Sequence, residues 1–223
     1  MKLLVLLLAL PIICFGQNVN IPDANFKAYL IRNSAINTNG DKEIQVSEAS
    51  AFKGEIDCSE LNISNLTGIE AFTALTSLGC ILNKLTSFDV SKNTALYDLY
   101  CGFNQLTSLD VSKNTALTNL YCLENKLTSL DVSKNTALSW LNCGGNQLTS
   151  LDLSKNSALT ELGCFNNQFI SLDLSQNTSL TWLNCVENQL SSLDLSRNTS
   201  LTYLECGENK FDCTALKSKY GID

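Results

Sequence analysis

Through most of this chain, apolar and polar positions recur on a period of 21 residues rather than on a simple helical or strand period. Cys80, Cys101, Cys122, Cys143, Cys164, Cys185 and Cys206 are spaced by 21, and Cys58 precedes Cys80 by 22. Aligned on these cysteines, the unit reads L-x-x-L-x-C-x-x-N-x-L-x-S-L-D-[VL]-S-x-N-[TS]-x-L, as in Leu117-Thr-Asn-Leu120-Tyr-Cys122-Leu-Glu-Asn125-Lys-Leu127. The end of L-x-x-L-x-C alternates apolar and polar, which predicts a short strand with one buried face. The return segment S-L-D-x-S-x-N-T lacks helical spacing and predicts turns or extended chain. No unit of this length encloses a core alone, so the pattern predicts a repeat solenoid, one strand per coil, with strands stacked in parallel ~4.8 Å apart. Leu78, Cys80 and their counterparts then point inward. Asn83, Asn104, Asn125, Asn146, Asn167, Asn188 and Asn209 form a ladder whose amides satisfy backbone groups where the chain leaves the strand.

Residues 75–211 hold seven copies of this motif, and 52–74 form a looser first coil. The motif resembles the leucine-rich repeat, with Cys in place of its third Leu. The stretch NLTGIEAFTALTSL resembles the 21–22-residue repeats of bacterial internalin-like surface proteins. That resemblance implies a parallel strand face used for adhesion or recognition of a protein ligand.

The flanks read differently, within what is otherwise one continuous domain. Residues 1–16 carry one Lys and then an apolar run of about a dozen residues, too short for a membrane span of ~20 and right for a signal peptide. Cys14-Phe15-Gly16 favours a cut before Gln17; bulky Ile13 disfavours a lipoprotein cut at Cys14. Residues 17–51 predict a helical N-terminal cap: a helix opened by Pro22-Asp23 and a second over Ser47–Phe52. Between them, Asn37-Thr-Asn39-Gly-Asp41-Lys-Glu43-Ile44-Gln-Val-Ser-Glu48 resembles the twelve-residue calcium loop of the EF-hand. Asn37, Asn39, Asp41 and Glu48, with the Glu43 carbonyl, are the candidate ligands. Asn37 stands where that loop has Asp, and Lys42 where it has Gly; the alternative is a polar turn at Asn39-Gly40. Residues 52–211 form the solenoid and 212–223 a C-terminal cap that opens at Asp212.

Composition narrows the chemistry. The 223 residues include no His and carry a net charge of −7. Without His, the commonest general base and metal ligand is missing, so the expectation is a binding protein and not an enzyme, with no cofactor required beyond the candidate calcium. An acidic chain without a basic run disfavours nucleic acid and membrane insertion. The ladder thiols read as small buried hydrophobes, because rungs ~4.8 Å apart exceed the Cβ separation of a disulfide. Cys213 lies off the ladder and is the candidate for exposure or pairing. Asp89, Asp110, Asp131, Asp152 and Asp194 are each followed three residues later by Lys or Arg, and Asp173 by Gln176, which predicts acidic and basic columns that cancel across a solvated face.

Comparing coils within the chain, the return segment is nearly constant whereas outward strand positions vary. They carry Tyr97, Tyr100, Phe103, Tyr121, Trp140, Glu161, Phe165, Trp182, Tyr203 and Glu205. A constant frame with a variable aromatic face suits a binding surface, since aromatics give large contact area at low entropic cost. The expected stripe is apolar and runs through Tyr100, Tyr121, Trp140, Trp182 and Tyr203, bordered by Glu124, Glu187, Glu205 and Glu208. The acidic border predicts a basic protein partner. The alternatives are a carbohydrate stacked on Trp140 and Trp182, with Glu161 between them, and a structural spacer without a ligand.

Overall fold

The computed structural model describes residues 16–222; the expected signal segment therefore lies almost wholly outside the described residues. Two helices open the fold, α1 (Ala24–Arg32) and α2 (Val46–Ala51). Eight strands follow: β1 (Glu55–Asp57), β2 (Ser77–Gly79), β3 (Asp98–Tyr100), β4 (Asn119–Tyr121), β5 (Trp140–Asn142), β6 (Glu161–Gly163), β7 (Trp182–Asn184) and β8 (Tyr203–Glu205), and α3 (Cys213–Tyr220) closes the chain. The strands form one parallel sheet in sequence order, β1 to β8. This is the leucine-rich repeat solenoid, with a small helical cap.

Each strand is only three residues long, so its middle residue alone points inward. Ile56, Leu78, Leu99, Leu120, Leu141, Leu162, Leu183 and Leu204 are in register along the sheet, and all are fully buried. One residue past each strand the chain turns the Cys inward. Cys58, Cys80, Cys101, Cys122, Cys143, Cys164 and Cys185 are buried free thiols. Removal from water disfavours the thiolate, and burial pushes Cys143 up to about 12; these thiols are inert as nucleophiles in the folded protein. The eighth position departs from the expected ladder: Cys206 is bonded to Cys213. Cys206 ends the stack and has no following rung, so α3 folds back over it and supplies the partner.

Two asparagine ladders hold the coils together. In the first, Asn104 Nδ2 donates to the carbonyls of Cys80, Cys101 and Gly102, while its Oδ1 accepts the Leu85 N–H. One amide thus closes its own turn and clamps the coil before it, and the same set recurs at Asn125, Asn146, Asn167 and Asn188. The second ladder, in the return segment, was not singled out in the sequence. Asn93, Asn114, Asn135, Asn156, Asn177 and Asn198 are buried, and each donates to two carbonyls of the preceding coil, as Asn114 does to Val90 and Asn93. Their Oδ1 atoms accept nothing. Each of these carbonyls also accepts a backbone N–H, as Val90 does from Asn93 and Asn93 from Leu96, so the amides add a second bond that ties each coil to the one before it. The missed signal was the Asn that repeats thirteen residues after each of the six cysteines from Cys80 to Cys185.

The return-side aspartates are not paired with the following bases. Among the described residues the ion pairs are Lys27–Glu43 and Lys217–Glu205. Asp110 Oδ1 instead accepts the Ser112 N–H at 2.9 Å, and the equivalent bond recurs at Asp89, Asp131, Asp152, Asp173 and Asp194. These N–H bonds, reinforced by the serine hydroxyls, hold the carboxyls below their ordinary value. A turn two residues long satisfies the carboxylate locally, leaving the lysines in solvent.

Candidate functional site

A three-residue strand presents its first and third residues to the same open face. Stacking converts these into columns. The first column runs Asp98, Asn119, Trp140, Glu161, Trp182, Tyr203, and the third-position column runs Tyr100, Tyr121, Asn142, Gly163, Asn184, Glu205. Tyr100 and Tyr121 are neighbours, with centroids 6.4 Å apart and tilted planes. Trp140 leans from the first column toward both, its ring 6.1 Å from Tyr100 and 5.6 Å from Tyr121. Trp182 lies parallel to Tyr203, with centroids 5.6 Å apart and planes within 3°. All these separations fall within the range of attractive aromatic pairs. Burial raises the Tyr100 and Tyr121 phenols above their ordinary value, so both are neutral donors near pH 7.

The expected continuous stripe is therefore two clusters. Trp140 turns toward β4, Trp182 stacks on Tyr203 of β8, and exposed Glu161 separates them on β6. The third-position residue on that rung is Gly163, whose missing side chain leaves room for the Asn142 amide: an added Cβ would lie 2.9 Å from it.

Several residues read as strand positions lie outside the strands. Tyr97 precedes β3 and is 45% exposed. Phe103, Glu124, Glu187 and Glu208 occupy the turn after their strands, all at positive φ of 51–55° together with Leu82. L-residues rarely adopt this left-handed conformation. The first asparagine ladder enforces it: Asn104 Nδ2 bonds the two carbonyls before Phe103 and closes the chain around it. Phe165 also lies past its strand, and its ring packs where a Cβ on Gly144 would stand, 2.5 Å away; Tyr121 covers Gly102 likewise at 2.7 Å. Glycine one rung back is thus what lets these rings lie flat on the sheet. That coupling between coils is not visible in any one repeat.

The face is acidic. Glu124, Glu161, Glu187 and Glu208 are exposed, and no Lys or Arg occupies either strand column or the two turn positions after them. Lys217 of α3 approaches Glu205 at 4.0 Å, at the rim of the face. Asp98 accepts from the Asn119 amide.

The calcium-type loop is a separate feature of the cap. Its oxygens face the loop's own donors. Glu48 Oε1 accepts the Thr38 and Asn39 N–H groups and the Thr38 hydroxyl, and Oε2 accepts the Gln45 N–H. Burial alone would raise the Glu48 carboxyl, but these donors outweigh it and hold it below its ordinary value. Asn37 Oδ1 accepts the Gly40 N–H, Asn39 Oδ1 the Asp41 N–H, and Asp41 the Glu43 N–H and the amides of Asn39 and Gln45. The Glu43 carboxylate is paired with Lys27 at 2.7 Å. Among the described residues, no group of three or more Cys, Asp or Glu is disposed to hold a metal. A cation at this loop would compete with the four donors that hold Glu48.

No family model and no curated protein matches this sequence. Solved structures do. The functional domain of InlJ from Listeria monocytogenes, described as including a cysteine ladder, is 33% identical over 91% of this chain and 55% of that one, with a TM-score of 0.55. This chain thus spans about half of that domain, and it shares the ladder. Internalin C2 from Listeria monocytogenes is 17% identical over 89% of this chain and 90% of that one, with a TM-score of 0.75. A leucine-rich repeat protein of Leptospira interrogans is 20% identical over 74% and 51%, with a TM-score of 0.57. The last two likenesses concern the fold alone.

Proposed function

We propose that this chain, a leucine-rich repeat solenoid of the internalin-like class, is an exported recognition module that binds a protein partner through its strand face. The observation that carries this reading is the contrast between the two sides. The return side repeats the same aspartate turn in six coils, whereas the strand face gathers both tryptophans and three tyrosines into two partly exposed clusters on a rigid frame. Aromatic anchors within a charged surround are the usual anatomy of a recognition patch. The lack of His and the burial of the free thiols among the described residues support binding over catalysis. Export is supported by the leader-like first sixteen residues and by the Cys206–Cys213 disulfide, a bond typical of oxidising compartments. Among the described residues, no helix is long and apolar enough to cross a membrane.

The test is selection of peptides from a displayed random library on the immobilised protein. Selected peptides are expected to lose at least tenfold in affinity for the Trp140→Ala/Trp182→Ala variant and to bind Lys113→Ala/Lys134→Ala unchanged. No enrichment, or loss on the return-side variant alone, overturns the reading.

A further inference from the structure

We propose that the strand face reads a basic side chain: a lysine or arginine of a partner segment seats over Glu161, in the gap between Trp140 and Trp182. This inference rests on the strand face being the recognition surface and names what that surface recognises.

The geometry starts from register. Trp140, Glu161 and Trp182 occupy the same position on β5, β6 and β7, so the tryptophans stand two rungs apart, about 10 Å. Had both rings leaned inward they would cover the glutamate. Each instead packs on an aromatic partner on the side away from Glu161: Trp140 on Tyr121 at 5.6 Å and Trp182 on Tyr203 at 5.6 Å. The rung between them carries Gly163 in its other outward position. The slot is the Glu161 rung itself: an exposed carboxylate with a tryptophan on the strand to either side.

The charge of the slot is uncompensated. Glu161 is exposed and takes part in neither ion pair found among the described residues. The turns bordering this part of the face add Glu124 and Glu187. A cation entering the slot meets a carboxylate and comes within cation–π range of ring walls, ~6 Å from a centroid. Both contributions strengthen as the side chain is withdrawn from water. An anionic or neutral occupant gains neither.

Trp140 and Trp182 are the only two tryptophans of the chain, so fluorescence excited selectively in tryptophan, apart from the six tyrosines, reports on these two rings. The experiment titrates the full chain with the end-blocked peptide Gly-Gly-Arg-Gly-Gly, with the same peptide carrying neutral citrulline for Arg, and with a neutral glucose oligosaccharide. The expected result is a saturable tryptophan fluorescence change with the arginine peptide, at least fivefold weaker binding for the citrulline peptide, and a comparable loss for Glu161→Gln. The arginine response weakens as salt rises. Glu161→Gln is a surface change and is expected to leave the urea midpoint in place. Equal binding of the arginine and citrulline peptides, indifference to Glu161→Gln, or saturation by the oligosaccharide instead overturns the inference. If the slot fails while library-selected peptides still depend on Trp140 and Trp182, only the basic-residue reading falls. If those peptides ignore both tryptophans, the recognition face itself falls.

Discussion

Asp23 and Ser64, 41 residues apart, share one carboxylate oxygen: Asp23 Oδ2 accepts both the N–H of Ser64, at 2.9 Å, and its hydroxyl, at 3.1 Å. The other oxygen caps α1 by accepting the N–H groups of Asn25 and Phe26. One side chain therefore starts the first helix and fastens it to the first coil. Asp23→Ala is expected to cost about 2 kcal/mol or more, because the lost helix cap is worth ~1 kcal/mol and charge-assisted bonds to the coil add to it. Burial alone would raise this carboxyl, but the donors on Ser64, Phe26 and Asn25 outweigh it and hold it low. A carboxyl lowered in the folded state contributes stability above its unfolded pKa, ~4, which is lost as pH falls through the folded value. Urea midpoints from pH 6 to pH 2 are expected to fall more steeply for the native chain than for Asp23→Ala; parallel curves remove Asp23 from the account.

The buried thiols act in the opposite pH range. Burial raises Cys143 and Cys185 to about 12. A raised thiol contributes stability below its unfolded pKa, ~8.5, and that contribution disappears as pH climbs toward the folded value. Stability is expected to decline above pH 9. A thiol-alkylating reagent is expected to spare the seven free cysteines of the described residues until the protein unfolds. Mass spectrometry of the alkylated protein decides; labelling of most ladder cysteines in the folded state sinks the core assignment. Cys143→Ser is expected to cost ~1–3 kcal/mol, since it buries a hydroxyl in an apolar stack.

The second asparagine ladder makes a sharper demand than the thiols. Asn156 donates to the buried carbonyls of Val132 and Asn135 at 3.1 and 2.9 Å. Asn156→Ala removes both of these ties between coils, leaving Val132 and Asn135 only the N–H groups of Asn135 and Leu138, and is expected to destabilise by about 2 kcal/mol, roughly 1 for each lost bond. Asn156→Asp sets a carboxylate against two carbonyls and is expected to be worse. Asp152→Ala, on the solvated side of the same coil, is expected to cost under ~1 kcal/mol. Denaturant melts of the three variants test the order; an Asn156→Ala variant as stable as Asp152→Ala removes the ladder from the account.

Calcium separates the two readings of the cap loop. With Glu48 bonded to the loop's own N–H groups, the melting temperature is expected to be the same in millimolar calcium and in chelator. Glu48→Ala is expected to lower it in both. A rise in calcium that Asp41→Ala abolishes establishes the EF-hand-type site instead.

The sequence by itself determined the coil. A cysteine every 21 residues, a leucine two positions before it and an asparagine three positions after it specify a strand, an inward turn and a clamp, because these residues act within one repeat or against its identical neighbour. Which outward residues share a column also follows from the period alone. What the period leaves open is where side chains point once stacked. Trp140 and Trp182 occupy equivalent positions yet pack on partners on opposite sides, Tyr121 for one and Tyr203 for the other. The Asp–Lys spacing suggested pairing, but the serine N–H two residues away satisfies the carboxylate first. Cys206 looked like one more rung; only the position of α3 at the end of the stack makes it a disulfide. Local spacing encodes contacts that every coil repeats. Contacts that differ from coil to coil depend on which neighbour stands across the rung, and these are decided only when the chain is stacked.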